Sequence, residues 1–160
     1  MSRLKLLLAL VVFLTLLNVK IQVEGTEGPG GNSPNSPREP GYGLESVVRG
    51  AVEDQSWMYA GSRGEVRDIL GRYYRGLLLE DLVSRAWDFI DQPTDLYTTA
   101  RLKDMRVVHD DGDRVVVEAL IGIEEVDSGH NETGKGLFVL SRAGGCPRVD
   151  YTAFKWNIKP

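Results

Sequence analysis

From Leu44 onward the apolar residues first repeat with a helical period and then with a strand period. Leu44, Val47, Val48, Ala51 and Val52 recur at i, i+3, i+4, i+7 and i+8, which predicts an amphipathic helix over 44–55 with one face on a core. Trp57, Met58 and Tyr59 follow, and Gly61 breaks the pattern. Ser62 and Glu65 have the spacing of a capping box and fix the next helix start. Val66, Ile69, Leu70, Tyr73, Tyr74 and Leu77 form the apolar stripe of that helix. Near Gly76 the phase slips, and Leu79, Leu82, Val83, Ala86, Trp87 and Ile90 restart it, so two helices meeting near 76–78 are expected. Gln92-Pro93-Thr94-Asp95 ends the helical half.

From Leu102 the period becomes two. Met105, Val107 and His109 alternate with polar neighbours, which turns His109 toward the sheet interior, and Asp110-Asp111-Gly112-Asp113 predicts a hairpin turn. Arg114 to Val126 reads as a long strand with Val115, Val117, Ala119, Ile121 and Ile123 on one face and Glu118 and Glu124 on a wetter one. A polar loop over Asp127–Gly134, a strand over Gly136–Arg142, a glycine turn at 143–145 and a last strand over Arg148–Ile158 complete the order. In that last strand the apolar phase changes near Ala153, which predicts a bulge there. Helices followed by an antiparallel meander give an α+β fold, with the N-terminal helices packed on a curved antiparallel sheet of about four strands.

The region ahead of Leu44 follows other rules. Arg3 and Lys5 precede an apolar run from Leu6 to Val19. That is the layout of a secretory signal and equally of a single membrane anchor with a cytoplasmic N-terminus. The run is intermediate in length, and Val23-Glu24-Gly25 is a serviceable cleavage site, so residues 1–24 are expected to be one or the other. Residues 25–43 hold six glycines and four prolines and predict a flexible linker. The folded domain spans 44–160, and an extracytoplasmic location follows, either membrane-anchored or secreted.

Composition changes this picture little. The chain of 160 residues carries a net charge of −4, interspersed with arginines that form no basic stripe in the sequence, which argues against nucleic acid as the main partner. Cys146 is the one cysteine and allows no internal disulfide; a disulfide-linked homodimer stays open beside the plainer reading of a small apolar filler. Neither His109 nor His130 has metal-ligand spacing with Cys146, and Asp110-Asp111-Gly112-Asp113 lacks the alternating ligands and terminal Glu of a calcium loop. No metal, cofactor or catalytic residue is therefore expected. Asn131-Glu132-Thr133 is a formal N-glycosylation triplet.

The order of elements resembles the nuclear-transport-factor-two-like superfamily, the cone fold shared with ketosteroid isomerase, in its exported bacterial form. The features that carry the resemblance are EVRDILGRYYRGLLLEDLVSRAWDFI with its paired tyrosines, the strand DGDRVVVEALIGIEEV, GLFVLSR, a glycine turn and an aromatic final strand. It covers roughly Ser62 to Ile158, and the chain departs from it in the short stretch between Trp87 and Leu102 and in the additional first helix. The resemblance implies a concave sheet face enclosing a pocket, and a scaffold module that docks another envelope protein. Candidate binding residues are Glu118 and Asp150 as carboxylates, Tyr73 and Tyr74 at a cavity mouth, and Phe154 and Trp156 as an aromatic patch. Two functions compete. One is a non-enzymatic domain, tethered or secreted, that binds a protein partner or small ligand at the cell envelope. The other is a pocket enzyme of isomerase or lyase type with a buried carboxylate. A deep cavity holding an ionisable group favours the second, and a concave face plugged by large apolar side chains favours the first.

Overall fold

Described in the computed structural model are residues 43–91, 98–125 and 129–156. The N-terminal apolar run, the glycine- and proline-rich stretch and the Gln92–Asp95 stop lie outside them. Within them, helix α1 (Leu44–Glu53), a 3-10 turn (Ser56–Tyr59), α2 (Arg63–Leu70) and α3 (Gly76–Ile90) precede four strands. Strands β1 (Thr98–Asp110), β2 (Arg114–Glu125), β3 (Asn131–Ser141) and β4 (Arg148–Trp156) form one antiparallel sheet in the order β1-β2-β3-β4. The sheet is curved and the helices pack on one face, an α+β architecture.

The helices begin and end where local chemistry directs. Ser62 Oγ accepts the Glu65 backbone N–H at 3.1 Å, and the Glu65 carboxylate reaches back to the Gly61 N–H at 2.9 Å. This is a capping box whose return bond lands one residue before the cap. Helix α2 stops at Leu70, and Gly76, with φ +61°, starts α3 on a new phase. The reset exposes Leu77 (89 %) and buries Leu78 (5 %), which corrects the expected stripe by one residue.

Between these helices the chain turns through Gly71–Tyr73, and Tyr74 forms an isolated bridge beside β4. The Val149 N–H donates to the Tyr73 carbonyl (2.8 Å), the Arg75 N–H donates to the Val149 carbonyl (3.1 Å), and the pairing is parallel. The other outer strand is also engaged. Glu53 accepts the Leu102 N–H at 2.9 Å, and the Gln55 side chain donates to the Thr98 carbonyl at 2.7 Å. Backbone groups along part of each sheet edge are thus occupied from within the chain.

The strand register defines two faces. Cross-strand partners point the same way, so Leu102, Ile121, Val117, Phe138, Leu140 and Val149 share the inner face with α1 and α3. All six are buried, packed against Val47, Val48, Leu82 and Val83 of the helices. Phe138, 1 % exposed, contributes about 1.5–3 kcal/mol of burial on its own.

Three strand expectations need correction, all for backbone reasons. Strand β1 carries register shifts between Leu102 and Asp104 and between Val107 and His109, so alternation does not persist along it. As a result His109, paired with Val116, lies on the outer face and is exposed rather than turned inward. Strand β3 begins at Asn131, inside the expected polar loop, because the pairs Glu124↔Asn131 and Ile123↔Glu132 extend the ladder regardless of side-chain polarity. The bulge in β4 falls at Asp150, since Leu140 pairs with Val149 and Val139 with Tyr151. That single extra residue, and no change at Ala153, puts Val149, Thr152, Phe154 and Trp156 on the inner face. The expected strand end at Ile158 lies outside the described residues.

Glycine at 136 is required by contact. A Cβ there would lie 2.8 Å from both the Phe138 and the Phe154 rings, which meet edge to face at 5.6 Å. Gly136→Val is therefore expected to lower unfolding stability by about 1–3 kcal/mol through overpacking, read as a shifted urea midpoint with unchanged slope. An unshifted midpoint would mean that the aromatic pair is not packed as described.

Candidate functional site

The six candidate residues fall in three places and do not form one site. Tyr73 and Tyr74 hold the helices together. The Tyr74 hydroxyl donates to the Ala51 carbonyl at 2.7 Å, satisfying one of the carbonyls left open in the last turn of α1. Burial, with Tyr73 adding, pushes the Tyr74 phenol above the usual tyrosine range, so it acts as a neutral donor. The Tyr73 ring lies against Gly50, where a Cβ would collide with it, and its hydroxyl donates to Asp54 at 2.7 Å. Asp54 also accepts the Ser56 N–H and hydroxyl, at 2.9 and 2.6 Å. Burial pushes the Asp54 carboxyl up, but the bonds from Ser56 and Tyr73 and the nearby Arg72 outweigh it and hold the carboxyl below its ordinary range. These contacts latch α1 to the strip beside β4.

Phe154 and Trp156 share the inner face. Their rings are parallel within 8° at 6.1 Å, partly buried, and Trp156 lies over Gly134. The Trp156 indole N–H is buried without a hydrogen-bond partner among the described residues.

Glu118 and Asp150 lie away from the core. Glu118 is on the outer face, bonded to Arg106 at 3.0 Å and Lys135 at 3.4 Å. Asp150, at the β4 bulge, pairs with Arg75 at 3.2 Å. Both are about one-third exposed (30 % and 34 %), so neither is the buried carboxylate that the enzyme reading calls for. Facing the helices instead are Phe138, Ile121, Leu140, Val115 and Val117, and the buried polar residue among them is Thr152.

The acidic hairpin is a turn. Asp111 accepts the N–H groups of Asp113 and Arg114, and Asp110 accepts that of Gly112, whose φ is +94°. Asp110 also receives two bonds from Arg142, at 2.6 and 2.8 Å, which tie the β1–β2 tip to the β3–β4 turn. Among the described residues no cluster of His, Cys, Asp or Glu has the form of a metal site.

The surface that sequence reasoning did not assemble is the outer sheet face. Register places Val116, Val139 and Tyr151 in one row and Leu137 beside Ala153 in the next, with Leu120 adjoining. All six are half-buried although no helix among the described residues covers them, because strand neighbours shield their flanks. Around them stand Lys103, Arg106, Arg114, Lys135, Arg148 and Lys155, against Asp104, Glu118 and Glu124. Lys103, the β1 bulge residue, drapes over Gly122, where a Cβ would come within 2.7 Å of its Cε. Arg101, on the same face by register, reaches round the β1 edge toward Glu53 at 3.8 Å. A face with three more cations than carboxylates thus sits on a chain of net charge −4. The alternation Val116, Glu118, Leu120 and Leu137, Val139 was the available signal, and it had suggested only a partly wet face.

Comparison with protein-family models gives no match, and no curated protein matches the sequence. Among solved structures, the intermembrane space region of chloroplast protein ARC6 is similar at 16 % identity and a TM-score of 0.48, over 76 % of this chain and 100 % of that one. A second, described as a calcium/calmodulin dependent protein kinase II association domain from Xanthomonas campestris, is similar at 14 % identity and 0.44, over 82 % and 100 %. The fold description rests on the chain's own geometry.

Two outcomes follow for the polar contacts. Tyr74→Phe leaves the Ala51 carbonyl without its donor and is expected to cost about 1–3 kcal/mol; Tyr73→Phe should cost less, because Asp54 keeps both Ser56 bonds. Equal losses in urea unfolding would contradict this assignment. Arg142, with the Gly112 N–H, holds Asp110 at about 2, below its ordinary 3.8. A depressed carboxyl stabilises the folded state above its unfolded value and loses that contribution as pH falls through the folded one. Stability from this pair should therefore be complete above pH ~4 and fade toward pH ~2. In an NMR titration, Arg142→Gln should return the Asp110 midpoint toward the ordinary range.

Proposed function

We propose that this chain is a non-catalytic binding module, tethered to a membrane or exported by its N-terminus, whose uncovered outer sheet face docks a protein partner. The observation that carries the reading is the set of six half-buried apolar side chains on that face, contiguous in register and covered by no element of the described chain. Monomeric proteins rarely leave a contiguous apolar surface without a use. The inner face is filled by Phe138, Ile121 and Leu140 against the helices, and part of each sheet edge is bonded to the helical segments. The N-terminal placement rests on Arg3 and Lys5 ahead of the Leu6–Val19 run. Among the described residues no helix is long and apolar enough to cross a membrane.

Fractionation of cells expressing the full chain, with intact mass of the product, tests location. An intact N-terminus in the membrane fraction means a tether, and a start near Thr26 in the exported soluble fraction means secretion. Full-length chain in the cytosol would overturn both. Docking is tested by co-purification after mild crosslinking. A partner recovered in stoichiometric amount should be lost with Leu137→Asp/Val139→Asp and kept with Leu77→Asp, which alters a more exposed apolar side chain on the helical side. Loss in both variants, or in neither, would remove the outer face as the docking surface.

A further inference from the structure

Resting on that docking reading, we infer that the partner presents an acidic protein surface, with carboxylates framing an apolar centre. The outer face carries Lys103, Arg106, Arg114, Lys135, Arg148 and Lys155 against Asp104, Glu118 and Glu124. The ion pairs already formed on it use up Glu118, with Arg106 and Lys135. Lys103, Arg114, Arg148 and Lys155 make no ion pair among the described residues. They come from β1, β2 and β4 and so flank the Val116–Val139–Tyr151 row on more than one side. The helical half of the same domain has the opposite balance, nine carboxylates to six arginines over residues 43–91. Charge is sorted between the two sides of the domain, which the net value conceals.

A cationic rim around an apolar centre is complemented by an anionic rim around another. A second copy docking by the same face would set one excess of three cations against another, at separations where salt screens little. A bilayer of anionic lipid would satisfy the charge but not the centre. Membrane-inserting surfaces project large apolar side chains, whereas Val116, Leu120, Leu137 and Val139 are half-buried and flush with the sheet. Flush apolar side chains suit an opposing protein surface that meets them at van der Waals distance.

The test places a photo-reactive phenylalanine analogue at Ala153, in the full chain and in its own cells, and sequences the peptide it captures. The expected product is a segment of another protein rich in Asp and Glu. Its yield should fall about tenfold in the Lys135→Glu/Lys155→Glu variant, and should also fall when permeabilised cells are irradiated at high salt. The variant's thermal midpoint, unchanged, shows that it folds. An adduct on lipid, or on this same chain, would overturn both this inference and the docking of a separate protein. A captured protein segment without excess acid, or one whose yield ignores charge reversal and salt, would overturn the acidic partner and leave the docking face standing. No adduct at Ala153, with Leu77 replaced in the same way giving one, would overturn the docking face itself.

Discussion

Three residues between α2 and α3 set the arrangement of everything else. Tyr73, Tyr74 and Arg75 form a short strip whose backbone makes a single parallel bridge, at Tyr74, with Val149. A helix cannot continue through such a pairing, so α2 must end at Leu70 and α3 must begin afresh at Gly76. The strip fixes both helices to the inner side of β4, and the side chains of its first two residues hold α1 through Ala51, Asp54 and Gly50. One hydrogen bond of this kind is worth about 1 kcal/mol. Its structural weight comes from joining three helices and an edge strand in one place.

With the helices fixed there, the sheet has little freedom in how it meets other molecules. The inner face is committed to the core, where Phe138, Leu140 and Val149 are nearly inaccessible. A pocket enzyme on a curled sheet requires the reverse, an unfilled concavity with an ionisable group inside it. Here the ionisable candidates stand outside: Glu118 is balanced by Arg106 and Lys135, and Asp150 by Arg75. Such pairs at a third exposure are solvated surface electrostatics and contribute little to stability. Glu118 belongs to the outer-face rim and Asp150 to the β4 bulge beside Arg75, which separates both from the interior chemistry first considered.

The helical half was legible in the sequence because its signals are local. Periodicity, the Ser62–Glu65 cap and the break at Gly76 each act within a few residues, and the break displaced the predicted stripe only from Leu77 to Leu78. The sheet was legible in order but not in facing. One unpaired residue reverses the side to which all following side chains point, and the bulges at Lys103, Val108 and Asp150 carry no compositional mark. For that reason His109 misled, whereas Phe154 and Trp156, candidates for a surface patch or for burial against the helices, stack on the inner side. Charge was hidden for a similar reason. A net −4 with scattered arginines looks featureless until register gathers lysines and arginines from four strands on one face.

The same cations also answer a problem created by the fold. An open sheet with an uncovered apolar face and two edges is prone to pair with its own copies. In this chain the edges are partly occupied by Glu53, Gln55 and the Tyr73–Arg75 strip, and cations outnumber carboxylates around the face. Lys103 lies across Gly122, shielding a point where the backbone would otherwise be bare. Repulsion between identical faces disfavours self-association, while the apolar centre keeps its capacity to bind. A surface built in this way discriminates by charge first and by fit second. A cover that complements it brings carboxylates, which the same face of a second copy does not supply in excess.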